Sequence, residues 1–220
     1  MKLSSKDYRG WDVVLAGFMI CPECLVVDRD RNRMRAGFAC PACGHESDGA
    51  RLYFHVNILV LVDLIERSYF SISRESSDER VDPGSVAVLL YFCTLKEALF
   101  EHLLNQLFRS RGVKESLRKR LLKDNRLFNE KINKLFPALV DEKWSQAVSS
   151  VGGFVGKDYS ELDALLIKAA EMRNEFLHDA SPWDISPEFA TECIDALDDL
   201  LGLFVGLHNH YIHTVAEPGA

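Results

Sequence analysis

Seven prolines and thirteen glycines in 220 residues are too few for a fibrous or linker-rich chain. Long apolar runs are scarce too. Val13–Ile20 spans eight residues and follows Asp12, too short and poorly flanked for an export segment. The stretch Leu52–Val62 is interrupted by His55 and Asn57 and ends at Asp63, well short of the roughly 18–20 residues that cross a bilayer. No membrane partner is expected, and the expected location is cytoplasmic. There are only six cysteines, and in a reducing compartment closely paired cysteines point to a metal rather than to disulfides. An excess of positive charge is also missing: 26 Lys and Arg face 33 Asp and Glu, a net charge of -7. That balance excludes a general nucleic-acid coat protein. What the chain does have is 47% hydrophobic residues, enough to bury a sizeable core in one ordinary domain plus a small module.

The charge is unevenly laid out. Residues 109–134 carry ten basic side chains against three acidic ones, whereas residues 135–220 carry four against fifteen. The basic block, with Arg118, Lys119 and Arg120 at its centre, either draws a polyanion such as RNA or forms an ordinary solvated helix face.

Cys21-Pro22-Glu23-Cys24 is followed, after fifteen residues, by Cys40-Pro41-Ala42-Cys43-Gly44. Two-residue spacing lets both sulfurs of a pair face one metal, and the glycine after the second pair suits a positive φ. Four thiolates close a tetrahedral shell, so the expectation is one structural Zn2+ on Cys21, Cys24, Cys40 and Cys43. His45 lies beside the second pair and is read as a surface residue. The pattern is that of a zinc ribbon of short β-strands over residues 1–50, with Leu25–Val27 and Arg35–Ala39 flanking a polar hairpin tip. Arg29, Arg31, Arg33 and Arg35 alternate along that tip. On a strand this places them on one face, with Arg33 and Arg35 as candidate phosphate contacts.

From Leu52 onward the apolar periodicity is helical, over 52–70, 84–111, 113–125, 128–136, 141–149, 159–179 and 187–213. Pro83 suits a helix start, Ser186-Pro187 reads as an N-cap followed by proline, and Pro182 stops the preceding helix. Ser73–Asp82 is the candidate linker. Cys93 and Cys193 are read as buried small hydrophobes, and His208, His210 and His213 as surface residues. The fold class is mainly α, an antiparallel helical body over 51–220 with the ribbon at its front.

One segment carries chemistry: Arg173-Asn174-Glu175-Phe176-Leu177-His178. With about 100° per residue, Leu162, Leu165, Ala169, Met172 and Phe176 share the core stripe. Asn174 and His178 fall on the opposite side, one turn apart, with Arg173 at their flank. Ile167, Ala170 and Leu177 form a second apolar stripe beside them, which one domain cannot bury.

The arrangement Arg173-Asn174-x-x-x-His178, late in a long helix and followed by another, resembles the motif of HEPN domains, over residues 84–213. The resemblance implies a homodimer in which two motifs meet, and metal-independent cleavage of RNA by Arg173, Asn174 and His178, in a toxin or defence effector. Other members of that family only bind RNA or a protein partner, so a non-catalytic binding module stands as the alternative. Some HEPN toxins carry a tyrosine two residues after the histidine that a regulatory partner modifies. Here the run is His178-Asp179-Ala180, and that control is not expected.

Overall fold

Apolar spacing and helix-start residues place the elements. The computed structural model describes residues 18–47, 51–72, 82–179 and 185–212, and these are mainly helical. Five two-residue strands stand at the front: β1 (Met19–Ile20), β2 (Val27–Asp28), β3 (Phe38–Ala39), β4 (Glu46–Ser47) and β5 (Arg51–Leu52). The helices are α1 (Val56–Phe70), α2 (Pro83–Ser110), α3 (Glu115–Asp124), α4 (Phe128–Glu130), α5 (Phe136–Val140), α6 (Trp144–Val155), α7 (Ser160–Asp179), α8 (Pro187–Asp195) and α9 (Leu197–Tyr211). The candidate linker lies outside the described residues except for Asp82, as do Pro182 and His213.

The chain gathers into two compact units, each drawn from separate stretches of sequence. Of the described residues, one contains 54–72, 82–98, 160–179 and 185–201; the other contains 18–47, 51–53, 99–159 and 202–212.

In the first unit, α1 buries Ile58, Leu59, Val62, Ile65 and Tyr69, and α2 buries Val88, Leu89, Phe92 and Leu95. Cys93 and Cys193 are buried here as expected. The Asp82 carboxylate accepts from the Ser85 backbone N–H at 2.6 Å and caps α2, so Pro83 does stand at the first position. Ser186 caps α8 by accepting from the Phe189 N–H at 3.2 Å, with Pro187 next. On α7 the buried residues are Leu162, Leu166, Ala169 and Met172. Leu165 and Phe176, expected in that stripe, are only half-buried, a slight rotation of the helix about its axis.

In the second unit, Phe100 on α2 meets the rings of Phe128, Phe136 and Trp144 at centroid distances of 5.2, 5.9 and 5.4 Å. Trp144 also meets Phe204 of α9. Large rings at these spacings supply most of the apolar burial per residue. The expected helix 128–136 is interrupted: α4 passes through a π turn, Lys131–Leu135, into α5. The left-handed Asp141, φ 62°, then ends α5. Gly206 of α9 faces α6 so closely that a Cβ there would lie 2.5 Å from Val151 Cγ1. Among the described residues, α2 is long and apolar enough to cross a membrane by length and composition, and half of its most apolar window is buried within the protein.

The hairpins differ from the expected one. β1 pairs antiparallel with β2 and β5, and β3 pairs with β4, so each cysteine pair sits in its own small hairpin. The expected tip does not extend as a strand, because Arg31–Met34 is a 3₁₀ turn in which the Asp30 side chain accepts from the Asn32 N–H.

Strands this short depend on side chains from elsewhere in the unit. Asn209 of α9 accepts from the Val27 N–H at 2.8 Å and donates to the Val27 carbonyl at 2.7 Å, acting as a one-residue strand on the edge of β2. His208, expected at the surface, is fully buried and contacts the Leu25 carbonyl at 2.9 Å. Since a carbonyl can only accept, Nε2 of His208 carries the proton. Tyr53 stacks edge-on against both His102 and His208, at 4.9 and 4.7 Å. Replacing Asn209 by alanine leaves both polar groups of Val27 without these partners. That change is expected to cost about 1–3 kcal/mol in thermal or denaturant unfolding and to speed hydrogen exchange at the Val27 amide.

Candidate functional site

The four expected cysteines converge. Their sulfurs all lie within 4.8 Å of one another, with Cys21 to Cys43 and Cys24 to Cys40 each at 3.8 Å. A disulfide would need about 2.05 Å, whereas tetrahedral thiolates at about 2.3 Å from a shared metal lie about 3.8 Å apart. The thiols are free, with Cys21, Cys24 and Cys40 buried and Cys43 the least covered.

The local backbone explains the convergence. Leu25 and Gly44, each following the second cysteine of its pair, have φ of 61° and 73°. The Leu25 N–H donates to the Cys21 carbonyl at 3.0 Å and the Gly44 N–H to the Cys40 carbonyl at 2.7 Å. Cys21 N–H donates to Val26 O and Cys40 N–H to His45 O, so the two turns repeat one another. Gly44 takes this conformation freely, while Leu25 holds it against the strain of a Cβ in the left-handed region. Its carbonyl is the one that His208 anchors.

Arg33, expected as a phosphate contact, is buried at 4% exposure and does not reach the surface. Its Nε donates to Asp28 Oδ1 at 2.7 Å, and its terminal nitrogen pairs with the other Asp28 oxygen. The same guanidinium reaches the Cys40 sulfur. Burial raises the Cys40 thiol, but the Arg33 contact and the N–H groups of Ala42 and Cys43 outweigh it and bring it down to about 6. At Cys24 burial dominates and pushes the thiol up to about 12. Arg35 is exposed, as is Arg29, whose guanidinium lies 4.2 Å from the Phe18 ring centre.

Of the basic block, Arg118, Lys119, Arg120 and Lys123 lie on α3, none of whose residues is buried. Lys119 pairs with Glu115 at 2.7 Å, Arg118 with Glu115 at 3.9 Å and Arg120 with Asp124 at 3.6 Å. Lys119 and Arg120 are exposed, and pairs of this kind are weak and open readily, so these two cations remain usable, whereas the Arg118 side chain is only 14% exposed.

On α7, Asn174 and His178 are exposed and Arg173 is half-buried. Arg173 Nη1 donates to Glu97 Oε1 of α2 at 2.5 Å, and its Nη2 donates to Asn174 Oδ1 at 3.4 Å. Deeper along this contact the Cys93 thiol donates to the Ala169 carbonyl at 3.4 Å, and burial raises that thiol to about 11. Ile167 and Leu177 stand 55% and 59% exposed on the same side of α7 as Asn174 and His178. Glu97 and the anchoring pair His208 and Asn209 escaped the sequence reading. Nothing local marks Glu97, which lies 76 residues from its partner. No family model, no curated protein and no solved structure matches this chain.

Thiolate ligands bind metal only when deprotonated, so the metal leaves as pH falls. Arg33 favours the Cys40 thiolate. In an Arg33→Met protein the Cys40 thiol is therefore expected to rise, so that a metal loaded on the four cysteines is released at higher pH on acid titration and is held about 10–100-fold more weakly in chelator competition.

Proposed function

We propose that this chain is a metal-independent endoribonuclease of HEPN type, working as a homodimer, with a zinc ribbon that is structural. The observation that carries the reading is the exposure of Asn174 and His178 beside Arg173, set between the uncovered apolar side chains Ile167 and Leu177. A catalytic set inside an apolar patch suits a site completed by a second copy. Four cysteine thiolates with no carboxylate or imidazole among them select Zn2+ and leave no open coordination position, so this metal would serve the fold. Reduced cysteines fit the cytoplasm. A toxin or defence role belongs to the same resemblance.

RNA carries its own nucleophile. One His178 takes the proton of a 2′-hydroxyl, whose oxygen attacks the adjacent phosphorus. The P–O5′ bond breaks, and the leaving oxygen takes a proton from the second copy's histidine. Arg173 offsets the charge that builds on the phosphoryl oxygens, and Asn174 orients imidazole or phosphate. The products are a 2′,3′-cyclic phosphate and a 5′-hydroxyl.

The exposed basic helix α3 favours a second reading, a binding module for RNA that uses Arg118, Lys119 and Arg120 without cleaving it. The two readings separate in one assay. Total RNA incubated with EDTA, under conditions that leave the thiolate-held metal in place, should be cut by the wild type. Alanine at Arg173 or His178 should cost on the order of 100-fold or more in rate, with circular dichroism unchanged, and a 2′-deoxy linkage should resist. Activity that EDTA abolishes but His178→Ala retains would reject the nuclease mechanism. Binding without cleavage, weakened by neutralising Arg118, Lys119 and Arg120, would establish the second reading.

The homodimer has its own test. Leu177→Asp or Ile167→Asp should convert a dimer into a monomer in size-exclusion chromatography with light scattering. A wild type that runs as a monomer at tens of micromolar contradicts it.

A further inference from the structure

We infer that Glu97 is a positioning residue for RNA cleavage: it anchors Arg173 through Nη1 and leaves Nη2, beside Asn174, as the donor that meets the scissile phosphate. This rests on the nuclease reading above. Arg173 has three places to donate. Nη1 is taken by Glu97 Oε1 at 2.5 Å, and Nη2 makes a long contact of 3.4 Å to Asn174 Oδ1. Nε is buried and has no hydrogen-bond partner among the described residues.

That orphaned Nε decides the argument. A buried N–H without an acceptor opposes this placement of the side chain, and a free arginine would swing out and hydrate it. The charge-assisted bond to Glu97 is the strong contact that holds the guanidinium where it is. Its cost to catalysis is a negative charge near an incoming phosphate, which weakens ground-state binding. Its benefit is a donor fixed before the substrate arrives, so no reorganisation is needed as charge builds on the phosphoryl group. Glu97 side-chain exposure is 40% against 25% for Arg173, so the pair sits at the edge of the site. Lys96, next to Glu97, is within electrostatic reach of both members, and burial lowers its affinity for a proton. Of the two cations, Arg173 is the one that also touches Asn174.

The inference is tested on the full-length protein with Glu97→Ala and, as the milder change, Glu97→Gln. Arginine side-chain NMR should show slow rotation of the Arg173 Nη groups in the wild type and its loss in Glu97→Ala. In RNA cleavage kcat should fall about 10–100-fold, the scale of a displaced catalytic group. KM should stay level or drop, because a negative charge has left the phosphate site. A raised KM with unchanged kcat, or Arg173 signals equally mobile in wild type and variant, would overturn the Glu97 role. If Glu97→Ala does not fold, Glu97→Gln with an intermediate kcat and a partly mobile Arg173 supports the assignment, and Glu97→Gln with wild-type kcat overturns it. A wild type inert on every RNA, with His178→Ala no different, overturns the nuclease reading and this inference with it. An active wild type with an equally active Glu97→Ala overturns only the inference.

Discussion

Two-residue strands cannot carry a sheet, so the N-terminal segment depends on drawing four sulfurs to one point. Thiolates 3.8 Å apart repel one another strongly unless a cation lies between them or their protons stay on. The surroundings push in different directions at different sulfurs: Arg33 lowers Cys40, while burial raises Cys24. Such a cluster is stable as a protonated, hydrogen-bonded set or as a metal shell, and a metal shell would fix all four positions at once. From that point outward, the strained Leu25 turn, the His208 contact to its carbonyl and the Asn209 clamp on Val27 form a connected series. Loss of order at the sulfurs would therefore reach the last turns of α9.

The other unit is governed by a different constraint. A helix of twenty residues can turn only one stripe to its own core, and α7 spends that stripe on Leu162, Leu166, Ala169 and Met172. Among the described residues, the opposite side carries the exposed Ile167, Asn174, Leu177 and His178. Among the described residues, Asn174 and His178 are exposed, and Arg173, at the flank, is tied to a neighbouring helix. The two exposed residues thus rely on Arg173 and on the helix itself for their geometry.

Much of this was legible from residue order alone, because the signals were local. The cysteine spacing found the four-thiol cluster, proline and serine marked helix starts, and the apolar period found the buried stripe of α7 to within a small rotation. The errors came where pairing at a distance overrode local pattern. Alternating arginines suggested a strand, yet Asp30 caps a 3₁₀ turn and Asp28 draws Arg33 inward. His208 looked like a surface residue near a chain end, but 183 residues separate it from the Leu25 carbonyl it holds. Asn209 and Glu97 were invisible for the same reason.

Inward placement of Arg33 also bears on the proposed RNA recognition. A guanidinium buried against Asp28 and the Cys40 sulfur has little charge to lend a phosphate, so the ribbon offers fewer cations than its sequence suggests. Arg173 is half-neutralised by Glu97 in the same way. With a net charge of -7, the exposed Lys119 and Arg120 of α3, whose intrahelical partners release them at little cost, would contribute to a non-specific attraction to a polyanion. On the proposed reading, a site poor in free charge would bind RNA weakly in the ground state. If it cleaves, its advantage must lie in holding donors where charge appears during the reaction, which is the arrangement the Arg173–Glu97 contact provides.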